Sequence, residues 1–341
     1  MDDVARFSPR ERADLFNEAA ARRGLVSAII EKDFWACWTL KRIFALPGDN
    51  PTVVFKGGTS LSKAYGVIRR FSEDIDLSFD RHNLGYTGQE DPQTAPSRKK
   101  AEELLERLDT SVLKHIDGVF VPRLEEAIAA ALPGQRVWRL EKDPADPKTI
   151  ILRYPSSLTA GTYGAIQYVN PVVRLELGAR GDPWPTERRP IRSYAAEEFP
   201  AVFREPTADV TVLAAERTFW EKATLLHAEY HRPVEKLTGD RLSRHYYDLA
   251  LLADTPYGER ALQDLRLLGQ VAEQKARFFA SGWANYHTAK PGTLRLVPPE
   301  SRMSALGGDY EKMKPMFFDE PPPFATLIRR LRELEDKINA G

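Results

Sequence analysis

This sequence lacks most of what marks an extracellular, membrane-spanning or thiolate-metal protein. A single cysteine, Cys37, in 341 residues excludes an internal disulfide framework and a zinc cluster built from several thiolates. No apolar run approaches the roughly 18 residues needed to cross a bilayer. The opening stretch MDDVARFSPRERADLF has neither the basic start nor the apolar run of a secretory signal. The expected compartment is the cytoplasm, with no membrane partner. Neither sign of charge is in excess: 49 Lys+Arg balance 49 Asp+Glu. That balance excludes a protein that coats nucleic acid by bulk charge, while leaving room for a local basic site. Internal repeats and low-complexity blocks are also missing.

What remains is ordinary folded-protein material, 42% hydrophobic and 29% charged, on a chain too long for one comfortable core. At roughly 100–200 residues per domain, two lobes are expected. Ser8, with Glu11 as its return partner, predicts a capped first helix that Gly24 ends. A second helix is predicted over 27–46, with Ile30, Phe34, Trp38 and Phe44 near a period of 3.6 and a stop at Pro47, Gly48, Asp49, Asn50 and Pro51. Thr52 to Phe55 predicts a short strand. Residues 81–98 have no periodicity and read as a loop, and 98–132 read as a helix broken near Gly118. Between Arg136 and Arg192, RVWRLEK, TIILRYP and PVVRLELG are strand-like. From Ala208 onward the pattern is helical, with a Pro/Gly-rich interruption around 291–323. The expected architecture is α+β and bilobed: an N-terminal helical segment (1–50), a core with a small mixed sheet (51–200), and a mainly helical C-terminal lobe (201–341).

The run Asp74-Ile75-Asp76-Leu77-Ser78-Phe79 carries the most chemistry. Strand alternation places Asp74, Asp76 and Ser78 on one face. Adjacent carboxylates repel unless a cation lies between them, and hard oxygen donors suit Mg²⁺ or Mn²⁺. A pair of divalent ions at such a site can clamp the attacking and leaving oxygens of phosphoryl transfer. A solvated outer face fits the same pattern. Upstream, Lys56-Gly57-Gly58-Thr59-Ser60 opens an apparent helix through Leu61, Tyr65 and Ile68. Paired glycines let the backbone approach a phosphate, and the hydroxyls stand where free amides attract anions. Walker spacing is absent, and a plain strand-to-helix turn is the alternative.

A strand, a Gly-Gly turn, a helix and an Asp-x-Asp strand in that order resemble the core of the nucleotidyltransferase fold shared with polymerase-beta-like enzymes. Such enzymes take a third acid from a later strand, for which Glu176 in VVRLEL is the candidate; an exposed ion pair with Arg174 explains it equally. In the C-terminal half, Lys222 lies three residues after Phe219 and four before Leu226, on the buried stripe of its helix. An inward amine needs an anion, which a nucleotide phosphate would supply, although a snorkelling lysine fits too. Asp248 opens an apolar helical run, where a favourable helix dipole already explains an acid. Arg241, Arg244, His245 and Tyr246 combine cations with stacking surfaces suited to RNA. His227, His231 and His245 do not fall at zinc-helix spacings.

EKDFWACWTL (31–40), FKGGTSLSKAYGVIRRFSEDIDLSF (55–79), ERTFWEKATLLHAEYHR (216–232) and RHYYDLALL (244–252), in this order, resemble the AbiEii/AbiGii-type nucleotidyltransferase toxin family of toxin–antitoxin and phage-defence systems. The resemblance spans most of the chain, apart from insertions at 81–97 and 290–323. It implies that Asp74 and Asp76 form the metal site and that Lys56, the Gly57–Ser60 turn, Lys63 and Arg70 serve the nucleotide. It further implies that Lys222 contacts the triphosphate and that Asp248 is a candidate general base. The implied activity is Mg²⁺-dependent nucleotide transfer from NTP to the tRNA acceptor end, with a winged-helix antitoxin encoded nearby. A protein or small-molecule acceptor, or binding without turnover, stays open. The zero net charge then resolves locally: residues 56–70 hold Lys56, Lys63, Arg69 and Arg70 without an acid, and 72–80 hold Glu73, Asp74, Asp76 and Asp80 without a base.

Overall fold

The computed structural model describes residues 1–47, 52–72, 74–134, 137–164 and 170–340. The chain divides into two compact units. One comprises Met1–Ala64, Phe71–Thr87 and Glu106–Val212, and the other Tyr65–Arg70, Gly88–Leu105 and Leu213–Gly341.

In the first unit the helix Pro9–Arg23 begins with the expected capping box, the Glu11 amide donating to Ser8 Oγ and the Ser8 amide to the Glu11 carboxylate. Gly24 closes it with φ +65°, a left-handed conformation that a glycine adopts without Cβ strain. The helix Ser27–Ile43 follows, ending three residues short of the expected bound. Of its expected stop signals, Gly48, Asp49, Asn50 and Pro51 lie outside the described residues, as do Glu73 and Arg136. Phe34, Trp35 and Trp38 are fully buried, each worth about 1.5–3 kcal/mol or more in area removed from water.

Seven strands form one mixed sheet: β1 (Val53–Lys56), β2 (Asp74–Phe79), β3 (Arg139–Lys142), β4 (Thr149–Arg153), β5 (Val172–Gly178), β6 (Thr186–Arg192) and β7 (Thr207–Leu213), in the order β3-β4-β5-β2-β1-β7-β6. β2 is antiparallel to β1 and parallel to β5, and β1 is parallel to β7. β7 corrects the expectation of helix from Ala208: TADVTVL alternates, with Ala208, Val210 and Val212 buried, and so completes the sheet. The helical stretch from Arg98 is two helices, Arg98–His115 and Val121–Ala131, joined by a π-turn over Ile116–Phe120 that contains Gly118. The expected loop before it is a string of short 3₁₀ turns at 81–84, 88–90 and 92–94.

The sheet has an apolar and a polar side. Phe55, Leu77 and Leu177 are cross-strand partners on the buried side. On the other side the row Val54–Ser78–Gly178 gives way to the row Lys56–Asp76–Glu176.

The second unit is helical: Ala215–Tyr230, Ser243–Ala253, Pro256–Gln263, Leu265–Phe278, Glu300–Lys312 and Phe324–Ala340. Phe219, Trp220, Ala223, Leu249, Leu252 and Leu331 are fully buried in it, on the 3.6-residue periods that the sequence displays. Among the described residues, no helix is long and apolar enough to cross a membrane.

Candidate active site

Asp74 and Asp76 stand two residues apart on β2, on the polar side of the sheet and partly exposed, while Ile75 and Leu77 between and beyond them are buried. Hydrogen-bonded strands fix what flanks them. Asp76 is opposite Lys56 on β1 and Glu176 on β5, and Asp74 is opposite Arg174. Arg174 Nε lies 3.6 Å from Asp74 Oδ1, and its Nη1 lies 2.6 Å from Asp143 Oδ2. The Ala145 amide and Arg174 together hold the Asp143 carboxyl below its ordinary value. Three acids and a lysine thus share neighbouring positions on one face, set by the backbone ladder.

Gly57 follows Lys56 with φ +79°, and a Cβ there would overlap the Asp76 carboxylate. The glycine is therefore required twice, by its dihedral and by the closeness of Asp76. The helix it opens is only Gly57–Lys63, ending before Tyr65 and Ile68, contrary to the longer helix expected. Its hydroxyls are tied to the main chain, Thr59 Oγ1 donating to Asp74 O and Ser60 Oγ to Gly57 O at 2.9 Å. Thr59 braces the turn against β2 and Ser60 closes it locally; Gly58 precedes them within the first turn.

Lys63, expected as a phosphate ligand, is only 5% exposed and pairs with Asp33 at 2.8 Å. It lies over the Tyr194 ring at 3.6 Å, and the Tyr194 amide donates to Asp33 Oδ2 at 2.6 Å. Burial works against the Lys63 ammonium, but the Asp33 carboxylate overcomes it and the pKa is raised. This lysine fastens the short helix to the helix Ser27–Ile43. Asp33 has no local signature of this role because its partners Lys63 and Tyr194 lie far along the chain. One signal was present: Glu31, Lys32 and Asp33 lie consecutively on a helix with little room for a solvated face, and all three are buried.

In the helical unit, Lys222 Nζ donates to Asp248 Oδ2 at 2.8 Å, and Arg70 Nε and Nη2 donate to Asp248 Oδ1 and Oδ2 at 2.8 and 2.7 Å. All three residues are buried. Burial opposes the Asp248 carboxylate, yet Arg70 and Lys222 hold its pKa well below the usual carboxylate range. Burial lowers the Lys222 ammonium, an effect that Asp248 offsets in part. Two expectations are corrected here. Asp248 lies in the middle of Ser243–Ala253, away from its start, and a carboxylate with two buried cations to stabilise it is a poor proton acceptor. It is the counterion that fixes Arg70 and Lys222.

The four residues expected to touch RNA separate. Tyr246 is 1% exposed and packs edge-on to Phe324, so it is a core residue, contrary to its expected stacking role. Burial and the neighbouring Lys222 and Arg244 push the His245 pKa well down, leaving a neutral imidazole. Arg244 Nε lies 3.5 Å from His245 Nε2. Arg241 takes φ +58°, its amide donating to Asp309 at 2.7 Å.

The donor chemistry of Asp74, Asp76 and Glu176 fits a hard divalent cation. Among the described residues, no group of three or more His, Cys, Asp or Glu is arranged to hold a metal alone. Mg²⁺ does not need one, since it is commonly bound by one or two carboxylates together with substrate phosphates and water.

The family described as nucleotidyl transferase AbiEii toxin, type IV TA system, matches residues 38–336. Among solved structures, the chain is similar to MenT4, a nucleotidyltransferase toxin from Mycobacterium tuberculosis H37Rv, at 16% sequence identity and a TM-score of 0.43, over 95% of this chain and 98% of that one. Comparison with curated proteins finds no match.

Proposed function

Since the chain belongs to the AbiEii family of nucleotidyltransferase toxins of type IV toxin–antitoxin systems, we propose that it transfers nucleotides from an NTP to an RNA 3′ end, the acceptor end of tRNA, and thereby blocks translation in the cytoplasm. The observation that carries this reading is the Lys56–Asp76–Glu176 row with Asp74 one step along β2.

Asp74 and Asp76 would hold Mg²⁺ or Mn²⁺, which when bound neutralises phosphate charge and lowers the pKa of a coordinated hydroxyl. The turn at Gly57 brings main chain close to Asp76, so that an NTP phosphate approaches the carboxylates unobstructed by a side chain. Lys56 supplies a cation directly beside them. Glu176, exposed and in register with Asp76, is the proton acceptor for the attacking 3′-hydroxyl, the role that its ion pairs deny to Asp248. The 3′-hydroxyl attacks the α-phosphate and pyrophosphate leaves. Catalysis of this kind is positioning and charge stabilisation without a covalent nucleophile. The type IV assignment brings a cognate antitoxin as partner, proposed to be of winged-helix type, and the family name leaves phage defence as the proposed context.

The experiment is incubation with each labelled NTP, Mg²⁺ and a mixture of total tRNA and protein. Label at the tRNA 3′ end, abolished in D74A/D76A and reduced about 10²-fold or more in E176Q, supports the reading. Label confined to protein or small molecules overturns it.

A further inference from the structure

Cross-strand partners share a face of the sheet. Phe55 is opposite both Leu77 and Val212, and all three are buried. Alternation along β7 therefore puts Thr207, Asp209 and Thr211 on the other face, the one that carries Lys56, Asp76 and Glu176. The edge strand β6 continues it. Ile191 is 1% exposed, whereas Arg188 and Arg192 are exposed, and Arg192 Nε donates to Thr207 Oγ1 at 3.2 Å. Arg188, four residues from Arg192 along the strand, shares its face.

Two arginines nearer the carboxylates on this face are engaged by acids, Arg153 by Glu141 at 2.6 Å and Arg174 by Asp143 and Asp74, while Arg139, opposite Arg153, lies on β3 at the far edge of the sheet. Arg189, on the opposite side of β6, pairs with Glu187 at 2.9 Å. Arg188 and Arg192 have no carboxylate partner among the described residues. Pro190 removes a backbone donor from the edge, which discourages another strand from pairing there. The edge is left as a cationic margin of the carboxylate face, three strand spacings from β2, or about 14 Å at ~4.8 Å each.

We infer that β6 is the track for the sugar-phosphate backbone of the RNA acceptor, with Arg188 and Arg192 each neutralising a phosphate upstream of the reacting 3′-hydroxyl. This rests on the RNA reading above. Asp209, exposed on β7 between the track and β1, opposes the RNA charge and limits how tightly the strand is held.

The test measures transfer from labelled NTP to total tRNA by the full chain, varying tRNA, NTP and salt. R188A/R192A should raise KM for tRNA about tenfold at low salt and leave KM for NTP and kcat unchanged. It should also flatten the log–log salt dependence of tRNA binding by about 1.4, from about 0.7 per single-strand phosphate. D209N should lower KM for tRNA, an opposite sign that general damage to the sheet would not produce. If the wild type labels tRNA and both variants keep its KM within twofold, the track is wrong and the RNA reading stands. If the wild type labels no RNA, both fall.

Discussion

Arg70 and Asp248, 178 residues apart in sequence, meet as a two-pronged pair in the interior of the helical unit, Nε to Oδ1 at 2.8 Å and Nη2 to Oδ2 at 2.7 Å. Lys222 completes the group from the helix Ala215–Tyr230. A buried carboxylate shared by two cations is asymmetric in its consequences: intact, it is close to neutral for stability, whereas removal of its charge leaves two cations uncompensated.

D248N should therefore destabilise the protein by about 3–5 kcal/mol, read as a lower urea midpoint. The sign of the pH dependence follows from the depressed carboxyl. Its stabilisation is complete above about pH 4, the ordinary carboxylate value, and is lost as the pH falls through the folded-state pKa. Acid unfolding of D248N should lack this component. An acidic limb of the activity profile that disappears in D248N would instead identify Asp248 as the base.

G57A places a methyl group into the Asp76 carboxylate at a dihedral that alanine resists. The expected loss is about 2 kcal/mol or more of stability and about 10²-fold in transfer rate, since small displacements of the reacting groups are costly. The double variant G57A/D76A should regain part of the stability and none of the activity. Additive losses in this double-mutant cycle would refute the close approach.

K63M leaves Asp33 as an unpaired buried carboxylate, and should cost about 3–5 kcal/mol in chemical denaturation. K63M/D33L, with both charges replaced by apolar groups, should recover much of it. If Lys63 served mainly as a phosphate ligand, K63M would raise KM for NTP without a comparable loss of stability.

His227 provides a second pH signature. Its Nδ1 accepts the Arg295 amide at 3.0 Å, so Nε2 carries the proton and donates to Asn285 O at 3.1 Å. Burial lowers its pKa to about 4. The folded state thus resists protonation that the unfolded chain accepts near pH 6.5. Its contribution is whole above pH 6.5 and is lost between there and about pH 4, a total on the order of 3 kcal/mol. Urea midpoints measured across that range should fall for the wild type and fall less for H227Q.

Local rules carried the sequence reading where chemistry is local. The Ser8–Glu11 cap, the β2 strand and the break at Gly118 each depend on a few adjacent residues, and each is found at its expected place. β7 was hidden because TADVTVL runs directly into the long helix Ala215–Tyr230, and seven residues are too few to separate the two periods. Lys63 and Tyr246 differ from expectation in their surroundings for another reason: a cation or an aromatic ring has the same sequence signature whether it faces a ligand or a buried partner. Asp33 and Phe324, which decide the matter, lie 30 and 78 residues away.

The in-register pairing of β1, β2 and β5 makes the sheet a ruler for the reacting groups. Lys56, Asp76 and Glu176 are spaced by whole strand widths, about 4.8 Å, which no repacking of the apolar side can adjust finely. Adjustment must come from side-chain length, and Gly57 closes that route on one side by crowding the Asp76 carboxylate. Asp76→Glu, mild in most settings, would here push a carboxylate one methylene along a scale without intermediate marks.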